Sequence, residues 1–142
     1  PHNLAGEGPA RGWFESRLPH ARFVGFQGGQ DLGRAVACMD LLFNPSVTET
    51  FGNVTLEALA SGIPVLAFDC AAARDWVQTG VNGWLVAENN PEGFAAQAVA
   101  IFNSKDLLDQ ITQSTRQQVV HLDWDQIAEQ VESVFWDAIR IR

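Results

Sequence analysis

The chain has 142 residues, 46% of them hydrophobic, with nine Lys and Arg against seventeen Asp and Glu and a net charge of −8. That length suits one domain with a real core, and that hydrophobic content excludes a disordered chain. The acidic balance argues against a broad surface for nucleic acid or anionic membrane, and Lys105 is the single lysine.

"PHNLAGEGPARGWF" opens near what reads as a strand end and runs into a Gly-Glu-Gly-Pro turn, so a piece of a longer protein is expected. Pro9 suits a helix start, and Trp13, Phe14 and Leu18 follow on helical spacing until Pro19. "ARFVGF" reads as a short strand broken at Gly25 and by Gly28-Gly29. Asp31 stands near the start of a helix with Leu32, Val36 and Met39 on one face.

"LLFNP" is a continuous apolar run stopped by Asn44-Pro45, as expected of a strand buried on both faces. "NVTLEALAS" reads as a helix ended by Gly62, and "IPVLAF" as the next buried strand. "AAARDWVQTG" predicts a short helix with a Gly stop, and "VNGWLVA" a turn and a strand. The last third predicts three helices, "PEGFAAQAVAIFN" with Pro91 in its first turn, "KDLLDQITQSTRQQVV" and "DWDQIAEQVESVFWDAI". Short apolar strands alternating with helices predict an α/β class, a Rossmann-like three-layer domain with a parallel sheet. Such sheets bind ligands at the carboxyl ends of their strands.

"PSVTETFGNVTLEALASG" lies at such an end, with Glu49 before a Thr-Phe-Gly turn and Glu57 after it. A helix starting near Asn53, directly after Gly52, offers free N–H groups and the positive dipole end to an anion such as a pyrophosphate. Gly52 permits close approach of a ligand to the backbone. Glu57 lies about one turn in, on the face of Asn53 rather than of Leu56 and Leu59, where its carboxylate suits vicinal ribose hydroxyls. Glu49, in the preceding loop, is free to reach past the phosphates. Acidic residues are also favoured in first helical turns by the dipole alone; the whole ordered set is what carries the reading.

The segment "NPSVTETFGNVTLEALASGIPVLAF" resembles the E-x7-E region of retaining glycosyltransferases of family 4, which have the GT-B fold. "AGEGPARGWFESRLPHARFVGF", "DWVQTGVNGWLVAENNPEGFAAQ" and "LDWDQIAEQV" with Trp124 resemble further family segments in order and spacing, so the resemblance spans essentially the whole chain. It implies that residues 1–142 are the later part of a C-terminal donor-binding domain, with the N-terminal acceptor domain and the start of this domain absent. It implies that Glu49 contacts the donor sugar near the reacting carbon and that Thr50, Phe51, Gly52, Asn53 and Val54 offer backbone amides to sugar and diphosphate. Glu57 would hold the ribose, and the loop around Gly25, Phe26 and Gly28 would receive the nucleobase. The implied substrate is a GDP- or UDP-hexose, with no cofactor and no metal. The acceptor is left open, and any peripheral membrane contact would come through the absent domain.

The two carboxylates are expected to clamp a donor rather than to work as a hydrolytic acid/base pair. A nucleoside diphosphate is already a good leaving group, so positioning matters more than its protonation. A non-catalytic sugar-nucleotide-binding or assembly module of the same fold is the alternative, and epimerisation on a related fold a third.

The remaining candidates have plain readings. His2, His20 and His121 are scattered, as surface histidines are. Gly6-Glu7-Gly8 lacks the third glycine of a dinucleotide fingerprint and reads as a turn. Asp69, Arg74 and Asp75 stand at the carboxyl edge of the sheet, either lining a cleft or solvated. Trp13, Trp76, Trp124 and Trp136 sit at apolar helical spacing, where core packing is expected, and Trp84 is expected to pack too. Ile127, Val131, Val134 and Phe135 form a stripe on the last helix. Cys38 and Cys70, in apolar contexts with no partner histidines at metal spacing, are expected to be buried free thiols in a reducing cytoplasm, and a disulfide between them has no sequence support.

Overall fold

Every strand pairing among the described residues is parallel, as the continuous apolar runs require. The computed structural model describes residues 3–118 and 124–140. Its chain divides into two compact units, Pro1–Cys38 and Met39–Arg142.

In the first unit, β1 (Asn3–Ala5) pairs with β2 (Arg22–Gly25), joined by α1 (Arg11–Arg17), and α2 (Gly29–Ala37) follows. The Gly6 amide donates to the Gly25 carbonyl at 2.8 Å, extending the pairing into the Gly-Glu-Gly turn. Val36 is the fully buried residue of α2. Trp13 departs from expectation: it is 55% exposed, with the Arg17 guanidinium 4.1 Å from its ring centroid and Phe14 edge-on at 5.0 Å. Apolar spacing places these rings on one side of α1, but a seven-residue helix packs only part of that side.

The second unit is built on three strands in sequential order, β3 (Leu42–Asn44), β4 (Val65–Phe68) and β5 (Gly83–Val86), with α3 (Asn53–Ala60) and α4 (Ala71–Trp76) as crossovers. Three helices complete it, α5 (Pro91–Phe102), α6 (Lys105–Gln118) and α7 (Trp124–Arg140). Strand side chains alternate between faces, so the register Phe43, Leu66, Trp84 defines one face and Asn44, Ala67, Leu85 the other. On the first face Leu66 and Trp84 pack with Ile101 of α5 and Ile111 of α6, and Phe68 lies 5.0 Å from Phe94. On the second, α3 and α4 pack against the sheet, and the Asn44 amide donates to Thr55 Oγ1 at 3.2 Å. Helices thus cover both faces of β4, whose four residues are all buried.

Gly62 ends α3 as expected. At φ +72° it lets its own amide bond Leu59 and the Ile63 amide bond Ala58, which satisfies the last carbonyls. Asn90 caps α5 by accepting from the Gly93 amide at 2.8 Å, with Pro91 at the first position. Asn82, 6% exposed, shapes the turn before β5: it accepts from the Gln78 amide and donates to the Trp76 carbonyl and to Gln118.

Trp84 is buried, as expected, while Trp76 and Trp136 are 42% and 53% exposed and are not core residues. Trp76 closes a six-residue helix, and Trp136 lies on α7 beside exposed Val131, Val134 and Phe135. His20 is exposed, whereas His2 and His121 lie outside the described residues, as do the side chains of Trp124 and Ile127.

Gly83 is where the strands fit most tightly. A Cβ there would collide with the Val65 carbonyl oxygen and stand 2.9 Å from Val77 Cγ1. Gly83→Ala is therefore expected to lower stability by about 2–4 kcal/mol, read as a fall in the urea midpoint. An unchanged midpoint would show that β5 can shift away from β4 at no cost.

Candidate functional site

Parallel strands end at the same edge, so the loops after β3, β4 and β5 gather there with Glu49, with Asp69, Cys70 and Arg74, and with Glu88. The pairing of β3 ends at Asn44, and the chain leaves the sheet at Pro45 in a loop that ends at Gly52. Gly52 is buried and left-handed, with φ +97° and ψ 47°, and precedes the first residue of α3. A Cβ on it would sit 3.3 Å from the Ala72 Cβ. The Ala72 amide donates to the Phe51 carbonyl at 2.9 Å, which joins the loop after β3 to the start of α4.

No side chain caps α3, and its first turn carries no acidic residue. The Thr55 amide bonds the Gly52 carbonyl at 3.0 Å, and the amides before it have no side-chain cap at the positive end of the dipole. Glu49 is half-buried, and its Cγ lies 3.9 Å from the Cβ direction of Gly52, which sets the carboxylate beside the helix start. Thr50, Phe51 and Asn53 are exposed and Val54 is half-buried. Glu57 is exposed on α3, on the side away from buried Ala58 and Leu59. The sequence-predicted residues of the second unit thus cluster around one turn. Gly25, Phe26 and Gly28 belong to the first unit, where Phe26 is 80% exposed, Gly25 is left-handed at φ +73° and Gly28 caps α2.

Arg74 is engaged three times, with Nε 3.0 Å from Asp69 Oδ1, Nη2 2.9 Å from Glu88 Oε1, and Nη2 also donating to the Asp69 carbonyl. Of the residues expected at this edge, Asp69 and Arg74 form a pair and Asp75 is solvated. Glu88 had no sequence signal, since it lies fourteen residues from its partner.

Neither cysteine is fully buried. Cys38 is exposed at the C-terminal cap of α2, and Cys70 is half-buried at the start of α4. Both are free. The Cys70 thiol is pushed above its ordinary value, first by burial and then by Glu88, with Glu49 and Asp69 adding to the rise and Arg74 opposing it. Ala71 takes a left-handed φ of 46°, unusual for a residue with a Cβ. Asn44, Cys70 and Ala71 were missed as site residues. Asn-Pro is a turn signal that bears on the first, but the long-range contact of Cys70 leaves no local trace.

The family model described as glycosyl transferases group 1 matches residues 3–104, well over half of the chain. The chain belongs to that family. Among curated relatives, a GDP-mannose-dependent alpha-mannosyltransferase of Mycobacterium tuberculosis is 37% identical over 97 residues, covering 68% of this chain and 26% of that protein. A D-inositol 3-phosphate glycosyltransferase of Salinispora arenicola is 30% identical over 83% of this chain and 26% of its own length. This group 1 chain therefore spans about a quarter of the length of those relatives. Among solved structures, sucrose-phosphate synthase from Thermosynechococcus elongatus superposes with a TM-score of 0.80 at 23% identity, over 99% of this chain and 39% of that one. HepE of Anabaena, solved with UDP-glucose, gives a TM-score of 0.69 at 26% identity, over 92% of this chain and 40% of its own. The α/β fold with parallel sheets is that of the GT-B glycosyltransferases.

The thiol chemistry gives a direct check. Cys38 is expected to be alkylated by iodoacetamide well before Cys70 at pH 8, because Cys70 is less accessible and held as the thiol. With its folded value raised, Cys70 contributes stability below the ordinary thiol value of 9.0, and that contribution is lost as pH rises through the folded value. Equal labelling rates in mass spectrometry would contradict this environment.

Proposed function

We propose that this chain is the donor-binding part of a retaining glycosyltransferase that moves a hexose from a nucleoside-diphosphate sugar to an acceptor. The observation that carries the reading is the uncapped start of α3 at the strand ends, with Glu49 beside Gly52 on one side and Glu57 a turn further on the other. A diphosphate at the helix N-terminus would be met by backbone amides and the dipole, which stabilise the departing charge without a metal. Among the described residues, no three His, Cys, Asp or Glu gather as metal ligands.

In this reading Glu49 orients the hexose hydroxyls near the reacting carbon, and Thr50 to Val54 offer main-chain donors to sugar and phosphate. Glu57 accepts from the ribose hydroxyls. The names of the relatives support a nucleotide-sugar donor: the mannosyltransferase is GDP-mannose-dependent and HepE was solved with UDP-glucose. A cytoplasmic setting belongs to the same reading, and among the described residues no helix is long and apolar enough to cross a membrane.

A panel of nucleotide sugars, read by released diphosphate with the full-length enzyme carrying this chain, tests the reaction. Glu49→Gln is expected to lower turnover roughly 100-fold or more, the scale of losing one transition-state contact. Glu57→Ala is expected to weaken donor binding about 10- to 100-fold in calorimetry, the scale of charge-assisted hydrogen bonds. Donor binding untouched by Glu57→Ala would remove the ribose role. Donor binding without turnover on any acceptor would favour the non-catalytic module.

A further inference from the structure

Ser46 opens the loop that carries Glu49, and its peptide groups are held from two directions. Asn44 Oδ1 accepts from the Ser46 amide at 3.4 Å, and Cys70 Sγ donates to the Ser46 carbonyl at 3.4 Å. Asn44 is 8% exposed, and its Nδ2 is anchored on Thr55 Oγ1, a fully buried residue of α3. At the far end of the loop the Phe51 carbonyl is held by the Ala72 amide. The stretch from Ser46 to Phe51 is therefore tied at both ends, with half-buried Glu49 between the ties.

We propose that Asn44 and Cys70 are positioning residues that fix Glu49 by clamping Ser46. The consequence for a ligand rests on the donor-site reading above, whereas the clamp itself does not. The pairing of β3 with β4 ends at Asn44, so the peptide groups of Ser46 lie past the ladder and need partners of their own. The two side chains supply them from different elements: Asn44 from the end of β3, Cys70 from the start of α4. Rotation about Ser46 swings Glu49 three residues later. A displacement of an ångström there is enough to spoil orientation of a bound group.

A clamp on the loop and a general support of the fold make different demands. If Glu49 faces the hexose and the α3 amides face the diphosphate, loosening Ser46 weakens a nucleotide sugar and spares the parent nucleoside diphosphate. General destabilisation weakens both alike. The test compares the full chain with Cys70→Ala, Cys70→Ser and Asn44→Asp, which keeps the acceptor toward Ser46. Two readouts are taken, amide hydrogen exchange over residues 46–52 and calorimetry with UDP-glucose against UDP and GDP-mannose against GDP.

Cys70→Ala is expected to speed loop exchange roughly tenfold and to weaken the nucleotide sugar about three- to tenfold, with the plain diphosphate changed less than about twofold. Cys70→Ser, which keeps a donor, is expected to restore most of both. Exchange in Cys70→Ala equal to the parent would overturn the clamp, and equal loss for sugar nucleotide and diphosphate would show general destabilisation and overturn the positioning of Glu49. Exchange that rises in Cys70→Ala and recovers in Cys70→Ser, in a chain that binds none of the four ligands, would uphold the clamp and sink the donor-site reading instead.

Discussion

The hydrogen bond from the Ala72 amide to the Phe51 carbonyl joins two loops that the sequence separates by a helix and a strand, and the candidate site is assembled around it. It is possible because parallel pairing ends β3 and β4 side by side and because two residues turn left-handed to meet, Gly52 at φ +97° and Ala71 at φ 46°. At Gly52 the conformation is free of strain, and the missing Cβ leaves the 3.3 Å gap toward Ala72 open. At Ala71 it costs on the order of 1 kcal/mol, which the surrounding packing must offset. Strain of that size beside the strand ends is what a site held in one geometry shows.

The electrostatics of the edge are lopsided. Glu49, Asp69 and Glu88 gather around Cys70, and the nearby cation, Arg74, is shared between two of those carboxylates. In the proposed donor reading, an anion arriving there would meet a guanidinium whose attraction is already divided, and the α3 amides and dipole would supply most of its stabilisation. A chain with a single lysine and a net charge of −8 is consistent with anion binding of that kind. In the same reading, negative charge around the helix start would suit a neutral, hydroxyl-rich group such as a sugar, whose donors need acceptors.

Local signals carried much of this in the sequence. Asn44-Pro45, Gly62 and Asn90-Pro91 each mark an element boundary through a mechanism confined to a few residues, and the structure places ends or starts at or beside them. The run from Ser46 to Glu57 was legible because strand end, turn glycine and helix start are adjacent in the chain. What stayed hidden depends on pairs far apart. Ser46 with Cys70 and Arg74 with Glu88 are 24 and 14 residues apart, and no periodicity encodes them. Burial of the aromatic residues was misjudged for a related reason. Spacing on α1 and α4 selects a helix face, but helices of seven and six residues leave much of that face uncovered, so Trp13 and Trp76 remain in solvent.

The tryptophans therefore differ sharply in environment. Trp84 is 5% exposed between β4 and α5, while Trp13, Trp76 and Trp136 are between 42% and 55% exposed. An indole in an apolar shell emits at shorter wavelength than one in water. Among the four tryptophans whose side chains are described, Trp84 is thus the one expected to emit at shorter wavelength, a component that belongs to β5. Among those four, loss of the blue component reports on the sheet beneath the strand ends, separately from events around Trp13 on α1 and Trp76 on α4.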